Sequence, residues 1–197
     1  LPVDLPREIW STPIETRLLT EGSVIPAEER VMCLDAAGVI RAYDSATGGQ
    51  LWLHTLADDA KITASAALAA DRLIVPTSKG IAALDAATGQ RTWHVATAYG
   101  SYAAPAVSGR RVYASLRNVG IEAFDLSTGA RLFEHKLPPK GALLVRGDVV
   151  VTGTLDGRLV RLDPLTGAEL WSRDLGSSPQ MGPTLVGDHT VVVFVAN

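Results

Sequence analysis

Ala83-Leu84-Asp85-Ala86-Ala87-Thr88-Gly89-Gln90-Arg91-Thr92-Trp93 joins a short apolar run, a carboxylate, a Thr-Gly pair and, four residues past the glycine, an indole. The same spacing returns at Asp44-Thr47-Gly48-Trp52, Asp125-Thr128-Gly129-Phe133 and Asp163-Thr166-Gly167-Trp171. Successive aspartates stand 41, 40 and 38 residues apart, and the aromatics keep step with them. A sustained period of about 40 residues matches one propeller blade. The chain reads as a repeat array.

In each copy the Asp ends a run that suits a strand, and the Thr-Gly pair suits a hairpin turn. The carboxylate and the hydroxyl can accept hydrogen bonds from N–H groups two or three residues on, and the glycine supplies the positive φ that closes the turn. Gly38, Gly80, Gly120 and Gly157 open the Asp-bearing strands. Before them lie runs rich in β-branched residues at 72–76, 110–114 and 148–152. Small-residue runs at 62–66 and 102–106 come earlier still and are expected to be the innermost strands.

Four antiparallel strands per unit follow, designated A to D from the axis outward, with D carrying the aromatic. A lone four-stranded meander cannot bury both faces, so copies must stack, and radial stacking makes a β-propeller. The expected fold class is all-β: four complete repeats, at about 11–52, 53–93, 94–133 and 134–171, with partial blades at both ends. Residues 1–197 then form a single propeller domain or part of one, and 172–197 form the trailing partial blade.

These residues resemble the tryptophan-docking motif of the pyrroloquinoline quinone (PQQ)-like repeat β-propeller superfamily, Ala-x-Asp-x-x-Thr-Gly-x-x-x-Trp. The likeness covers nearly the whole chain. Two copies match in full, while Phe133 replaces the third Trp and Arg161 replaces the fourth packing Ala. The resemblance implies that the motif residues Asp44, Gly48, Trp52, Asp85, Gly89, Trp93, Asp125, Gly129, Phe133, Asp163, Gly167 and Trp171 dock neighbouring blades. It leaves activity open, because such blades serve quinone-dependent alcohol dehydrogenases, the lipoprotein propeller of the bacterial outer-membrane β-barrel assembly machine, and sensor domains fused to protein kinases.

The chain has 197 residues, 47% of them hydrophobic, and a net charge of −3. That composition fits an ordinary globular protein with one sizeable core. Interspersed charges without a basic stripe argue against a nucleic-acid partner. No apolar run reaches the about 18 residues that a membrane-spanning helix requires. Cys33 is the single cysteine, so no intramolecular disulfide forms and a buried structural thiol is expected.

The ends read as blade fragments. Ile9-Trp10 falls where a preceding D strand would carry its aromatic, and 181–186 with 189–196 suit strands A and B of a fifth unit. Leu1 in place of Met suggests a processed or a trimmed chain. Pairing of the ends into one composite blade would close a five-bladed ring. Membership of a larger ring, completed by absent blades or by self-association, is the preferred expectation.

Chemistry is sparse. A quinone site in the resembling dehydrogenases implies Ca²⁺ ligands, an Asp base, a stacking Trp and often a Cys-Cys pair. Here no such pair exists, and Trp10, Trp52, Trp93 and Trp171 all sit in the docking register. No cofactor is evident, and PQQ with Ca²⁺ would need residues from absent blades. Asp58-Asp59 and Glu28-Glu29 are expected as solvated loop residues, and Asp156-Gly157 as a B-to-C hairpin turn. His54, His94 and His135 fall on three different D strands and His189 opens a B strand, so no metal site is expected from them. No nucleophile elbow, phosphate loop or zinc-protease helix is present.

What remains is surface. Propeller ligands gather at the channel mouth, where Ser65, Tyr99, Ser101, Tyr102, Ser178 and Gln180 are the candidates; Tyr99-Gly100-Ser101-Tyr102 stands out for its two aromatics. Pro138-Pro139-Lys140 is a stiff connection suited to a contact or a spacer. The expected function is a non-catalytic scaffold or a ligand-binding or sensor module with a protein partner. A periplasmic or other extracytoplasmic bacterial location is favoured, with a cytoplasmic one as the alternative. The alternative functions are a fragment of a quinone-dependent dehydrogenase and the sensor domain of a receptor-type kinase.

Overall fold

β-branched runs bounded by Gly, Asn and Asp turns form strands, and in this chain they form almost nothing else. A computed structural model describes residues 9–13, 24–57, 60–97, 99–187 and 190–195, with no helix among them. The first sheet comprises β1 (Val24–Pro26), β2 (Arg30–Leu34), β3 (Val39–Asp44) and β4 (Gln50–Thr55). The second comprises β5 (Ala67–Ala69), β6 (Arg72–Thr77), β7 (Gly80–Asp85) and β8 (Arg91–Ala96). The third holds β9 (Ala106–Ser108), β10 (Arg111–Leu116), β11 (Gly120–Asp125) and β12 (Arg131–His135). The fourth holds β13 (Pro139–Arg146), β14 (Val149–Thr154), β15 (Arg158–Leu162) and β16 (Glu169–Asp174). A two-stranded sheet of β17 (Thr184–Val186) and β18 (Thr190–Val192) follows.

Strand order within each sheet is sequential and every pairing is antiparallel, as in a meander. The two middle strands are buried on both faces. In β6 and β7 all but the terminal residues are enclosed, whereas the outer β8 buries only Trp93. That pattern requires a sheet on either side of each middle strand, which is the stacking of propeller blades. Three apolar clusters fill the interfaces. Met32, Leu34, Ile40 and Trp52 face Leu73, Val75 and Leu84. Ile74, Ile81 and Trp93 face Val112, Leu116 and Phe124. Tyr113, Ile121 and Phe133 face Val150, Val160 and Leu162. Cys33 is buried within β2, and burial pushes its thiol above the ordinary value.

The innermost strands differ from expectation. The regular pairing lies at Ala67–Ala69 and Ala106–Ser108 rather than at 62–66 and 102–106. Only single bridges, Ile62 with Thr77 and Ser101 with Leu116, mark the earlier segments. Between bridge and strand the A segment carries two residues more than its partner: 62 to 67 is matched by 77 to 74, and 101 to 106 by 116 to 113. In the fourth sheet the same irregularity lies between Lys140 and Leu144. Pro105 lacks an N–H for the ladder, which favours an excursion of the chain there. The bulges also crowd one another: a Cβ on Gly182 would lie 2.3 Å from the Ala142 carbonyl oxygen.

The sheets do not close into a ring among the described residues. β16 is exposed along its whole length, and Trp171 is 40% exposed where Trp52 and Trp93 are each 8% exposed. Asp58, Asp59, His189 and Asn197 lie outside the described residues.

Candidate binding groove

Every motif turn is built alike. The Asp85 carboxylate accepts from the N–H groups of Ala87 (3.0 Å) and Thr88 (2.9 Å) and from the Thr88 hydroxyl (2.9 Å). Asp44, Asp125 and Asp163 accept the same three bonds from Ala46 and Thr47, Ser127 and Thr128, and Leu165 and Thr166. These donors hold all four carboxyls below the ordinary aspartate value. The Thr hydroxyl contributes most at Asp44 and Asp85, and the Thr N–H at Asp125 and Asp163.

Trp10, Trp52, Trp93 and Phe133 each lie on the turn of the following repeat. The Trp52 indole N–H donates to the Ala86 carbonyl (3.2 Å), that of Trp93 to Leu126 (2.9 Å), and that of Trp10 to Ser45 (2.8 Å). The rings cover the turn glycines so closely that a Cβ on Gly89 would fall 2.5 Å from Trp52. Gly89 also has φ +71°, so glycine meets two demands there. Phe133 covers Gly167 in the same way but has no N–H to donate. A one-residue bulge just before each aromatic sets its direction, and Ala42, Ala83, Ala123 and Arg161 are the cross-strand partners. Arg161, opposite Trp171, reaches Asp148 at 3.7 Å.

In an antiparallel blade the B-to-C turns and the D-to-A connections share one end, opposite the docking turns. At that end, between the third and fourth sheets, lies a groove of about 450 Å³. Its walls are Tyr102, Arg117, Asn118, Pro138, Pro139, Lys140 and Leu155. The Tyr102 hydroxyl donates to the Pro139 carbonyl at 2.5 Å, tying the two sheets together. Burial raises the phenol pKa, partly offset by Arg117, so it stays a donor. The Arg117 guanidinium lies over the Tyr102 ring, 5.8 Å from its centroid. Asn118 occupies the left-handed region at φ 58°, which asparagine tolerates and which turns the hairpin.

The candidate surface residues separate. Tyr102 and the 138–140 connection, distant in sequence, meet in this groove. Tyr99 is 56% exposed but does not line it. Ser101 is 2% exposed, and its hydroxyl is shared between the Ala103 and Ser115 carbonyls, so it holds the bulge. Ser65 is half-buried just before β5, with its hydroxyl directed at the Ala66 carbonyl. Ser178 is half-buried and Gln180 exposed beside the two-stranded sheet. Arg117, Asn118 and Leu155 were absent from the sequence candidates. The one signal for them was the Arg-Asn pair in a B-to-C turn.

Glu28 and Glu29 line a second groove of about 540 Å³ at the opposite end, with Arg30 and Asp71. His54, His94 and His135 sit on β4, β8 and β12, and burial lowers the His54 pKa. Among the described residues no group of three His, Cys, Asp or Glu side chains comes together to hold a metal ion. Trp52 and Trp93 are occupied by docking.

The stacked sheets, the Asp-x-x-Thr-Gly turns and the aromatics lying on them define a PQQ-like repeat β-propeller. More narrowly, a family profile described as "Outer membrane protein assembly factor BamB" matches residues 7–134 and 36–197, and the chain belongs to that family. The outer membrane protein assembly factor BamB of Shewanella oneidensis is 24% identical over 194 residues, covering 83% of this chain and 49% of that protein. The crystal structure of BamB from Moraxella catarrhalis superposes with a TM-score of 0.77 at 25% identity, covering 93% of this chain and 58% of that one. The serine/threonine-protein kinase AfsK of Streptomyces coelicolor is 31% identical over 150 residues, 73% of this chain and 18% of the kinase. The chain thus spans about half the length of the BamB proteins it matches.

Proposed function

We propose that this chain is a non-catalytic scaffold for protein contacts, acting in outer-membrane protein assembly outside the bacterial cytoplasm. One observation carries the reading. The recurrent polar and aromatic residues hold the blades to one another, and what is left for partners is loop surface such as the Tyr102 groove. Rigid repeat arrays offer broad faces that suit protein partners. The similarity to proteins named as outer membrane assembly factors points the same way. The exposed docking face of Trp171 supports the further reading that 1–197 is part of a larger ring.

The test is co-purification. The tagged chain, expressed with an export signal in a bacterium lacking its own assembly factor of this family, is expected to be recovered with the other components of the outer-membrane assembly complex. Recovery without them, together with quinone- and Ca²⁺-dependent alcohol oxidation by the purified chain, would overturn the scaffold reading in favour of a dehydrogenase.

A further inference from the structure

We propose that the groove between the third and fourth sheets binds an extended acidic peptide segment, with a carboxylate held by Arg117 and Lys140 and an apolar side chain on Pro138 and Leu155. This rests on the scaffold reading and names the chemistry of its partner.

Charge complementarity is the first argument. Arg117 and Lys140 stand in one groove, and neither forms an ion pair with a described residue. Six of the other eleven described arginines, Arg41, Arg72, Arg110, Arg131, Arg158 and Arg161, each meet a carboxylate. Arg117 is also held in place by the Tyr102 ring beneath it. A stacked guanidinium presents its remaining N–H groups as a fork that matches a carboxylate.

Shape is the second. Leu155 is 56% exposed at the tip of a hairpin, an unfavourable place for an apolar side chain with nothing on it. Pro138 lies exposed across from it. Pro139 is buried and its carbonyl already accepts from Tyr102, so this wall is preformed and does not have to order on binding. Alternating charge and apolar surface in an open groove suits an extended chain, whose side chains project at intervals, better than a compact anion.

The test uses a fluorescein-labelled peptide of alternating Leu and Glu, with a Leu-Gln peptide as control, read by fluorescence anisotropy on the full chain. The Leu-Glu peptide is expected to bind about tenfold or more tightly than Leu-Gln, since charge-assisted bonds are roughly twice as strong as neutral ones. Arg117→Ser with Lys140→Ser should abolish that preference, and Leu155→Ser should weaken both peptides. Arg117 and Leu155 are exposed and Lys140 is half-buried without an ion pair to a described residue, so each variant should keep a melting temperature close to that of the parent. Equal binding of the two peptides, an unaffected double variant, or displacement by millimolar inorganic phosphate would each overturn the proposal. The double variant carried into the co-purification separates the two readings. Loss of the assembly partners supports the groove, while partners retained at parent yield refute the groove and leave the scaffold standing.

Discussion

Trp93→Ala should separate the second and third sheets energetically. The indole is 8% exposed, lies over Gly129 and donates to the Leu126 carbonyl at 2.9 Å. A tryptophan buries about 150–250 Å². At about 25 cal/mol per Å² the transfer alone is worth about 4–6 kcal/mol, an upper bound because unfolded chains already bury some surface. Measured truncations of large aromatics to Ala cost about 3–5 kcal/mol, and that is the expected loss. For a chain of this size each kcal/mol moves the melting temperature by about 2–4 °C. Circular dichroism should therefore show a fall of about 6–20 °C. Trp171→Ala is the internal control: its ring is 40% exposed and no turn covers it among the described residues. Its cost should be about 1 kcal/mol or less. Trp93→Phe keeps most of the ring and loses the N–H, for about 1–2 kcal/mol. Equal falls for Trp93→Ala and Trp171→Ala would refute the argument, because burial and the indole bond would then not determine the cost.

Gly129→Ala should destabilise by at least about 1–2 kcal/mol, the penalty of a Cβ at positive φ, with more added because that Cβ would lie 2.7 Å from Trp93; a melt matching the parent would contradict it. The four turn carboxyls have depressed folded-state pKa values, so their stabilisation is complete above the ordinary value of 3.8 and is lost as pH falls through the lower folded values. Acid titration followed by circular dichroism should show unfolding below about pH 4, and Asp85→Asn should make that loss shallower. Glu122 shows the opposite sign: burial raises its pKa above 4.5 in spite of Arg131 at 3.1 Å. Its contribution is therefore full below 4.5 and declines as pH rises through the folded value. Arg131→Ala should steepen that decline and cost about 1–3 kcal/mol at pH 7, whereas equal losses at pH 4 and pH 7 would count against it.

The turns were legible in the linear order because their chemistry is local. Asp85, Thr88 and Gly89 make their bonds within five residues, so four spaced copies of the triplet are enough to place the C and D strands. The inner strands were placed several residues too early, since small residues such as Ala64 and Ala66 mark a narrow space without saying where pairing resumes. Two extra residues at each bulge shift the register, and nothing in the run 62–66 distinguishes them. The groove was half legible: Tyr102 and Pro138–Lys140 stood out singly, and Ser101 proved to be an interior residue.

The sequence by itself determined the repeat, its length, the four-stranded blade and the family resemblance, because each rests on hydrogen bonds and turn preferences set by residues a few positions apart. Tertiary structure decided which turn each of Trp10, Trp52, Trp93 and Phe133 covers and left Trp171 exposed. It also decided that Tyr102, Arg117, Lys140 and Leu155 share one groove. Those contacts join residues up to about 50 positions apart, and their geometry depends on how two sheets stack, which no local preference specifies.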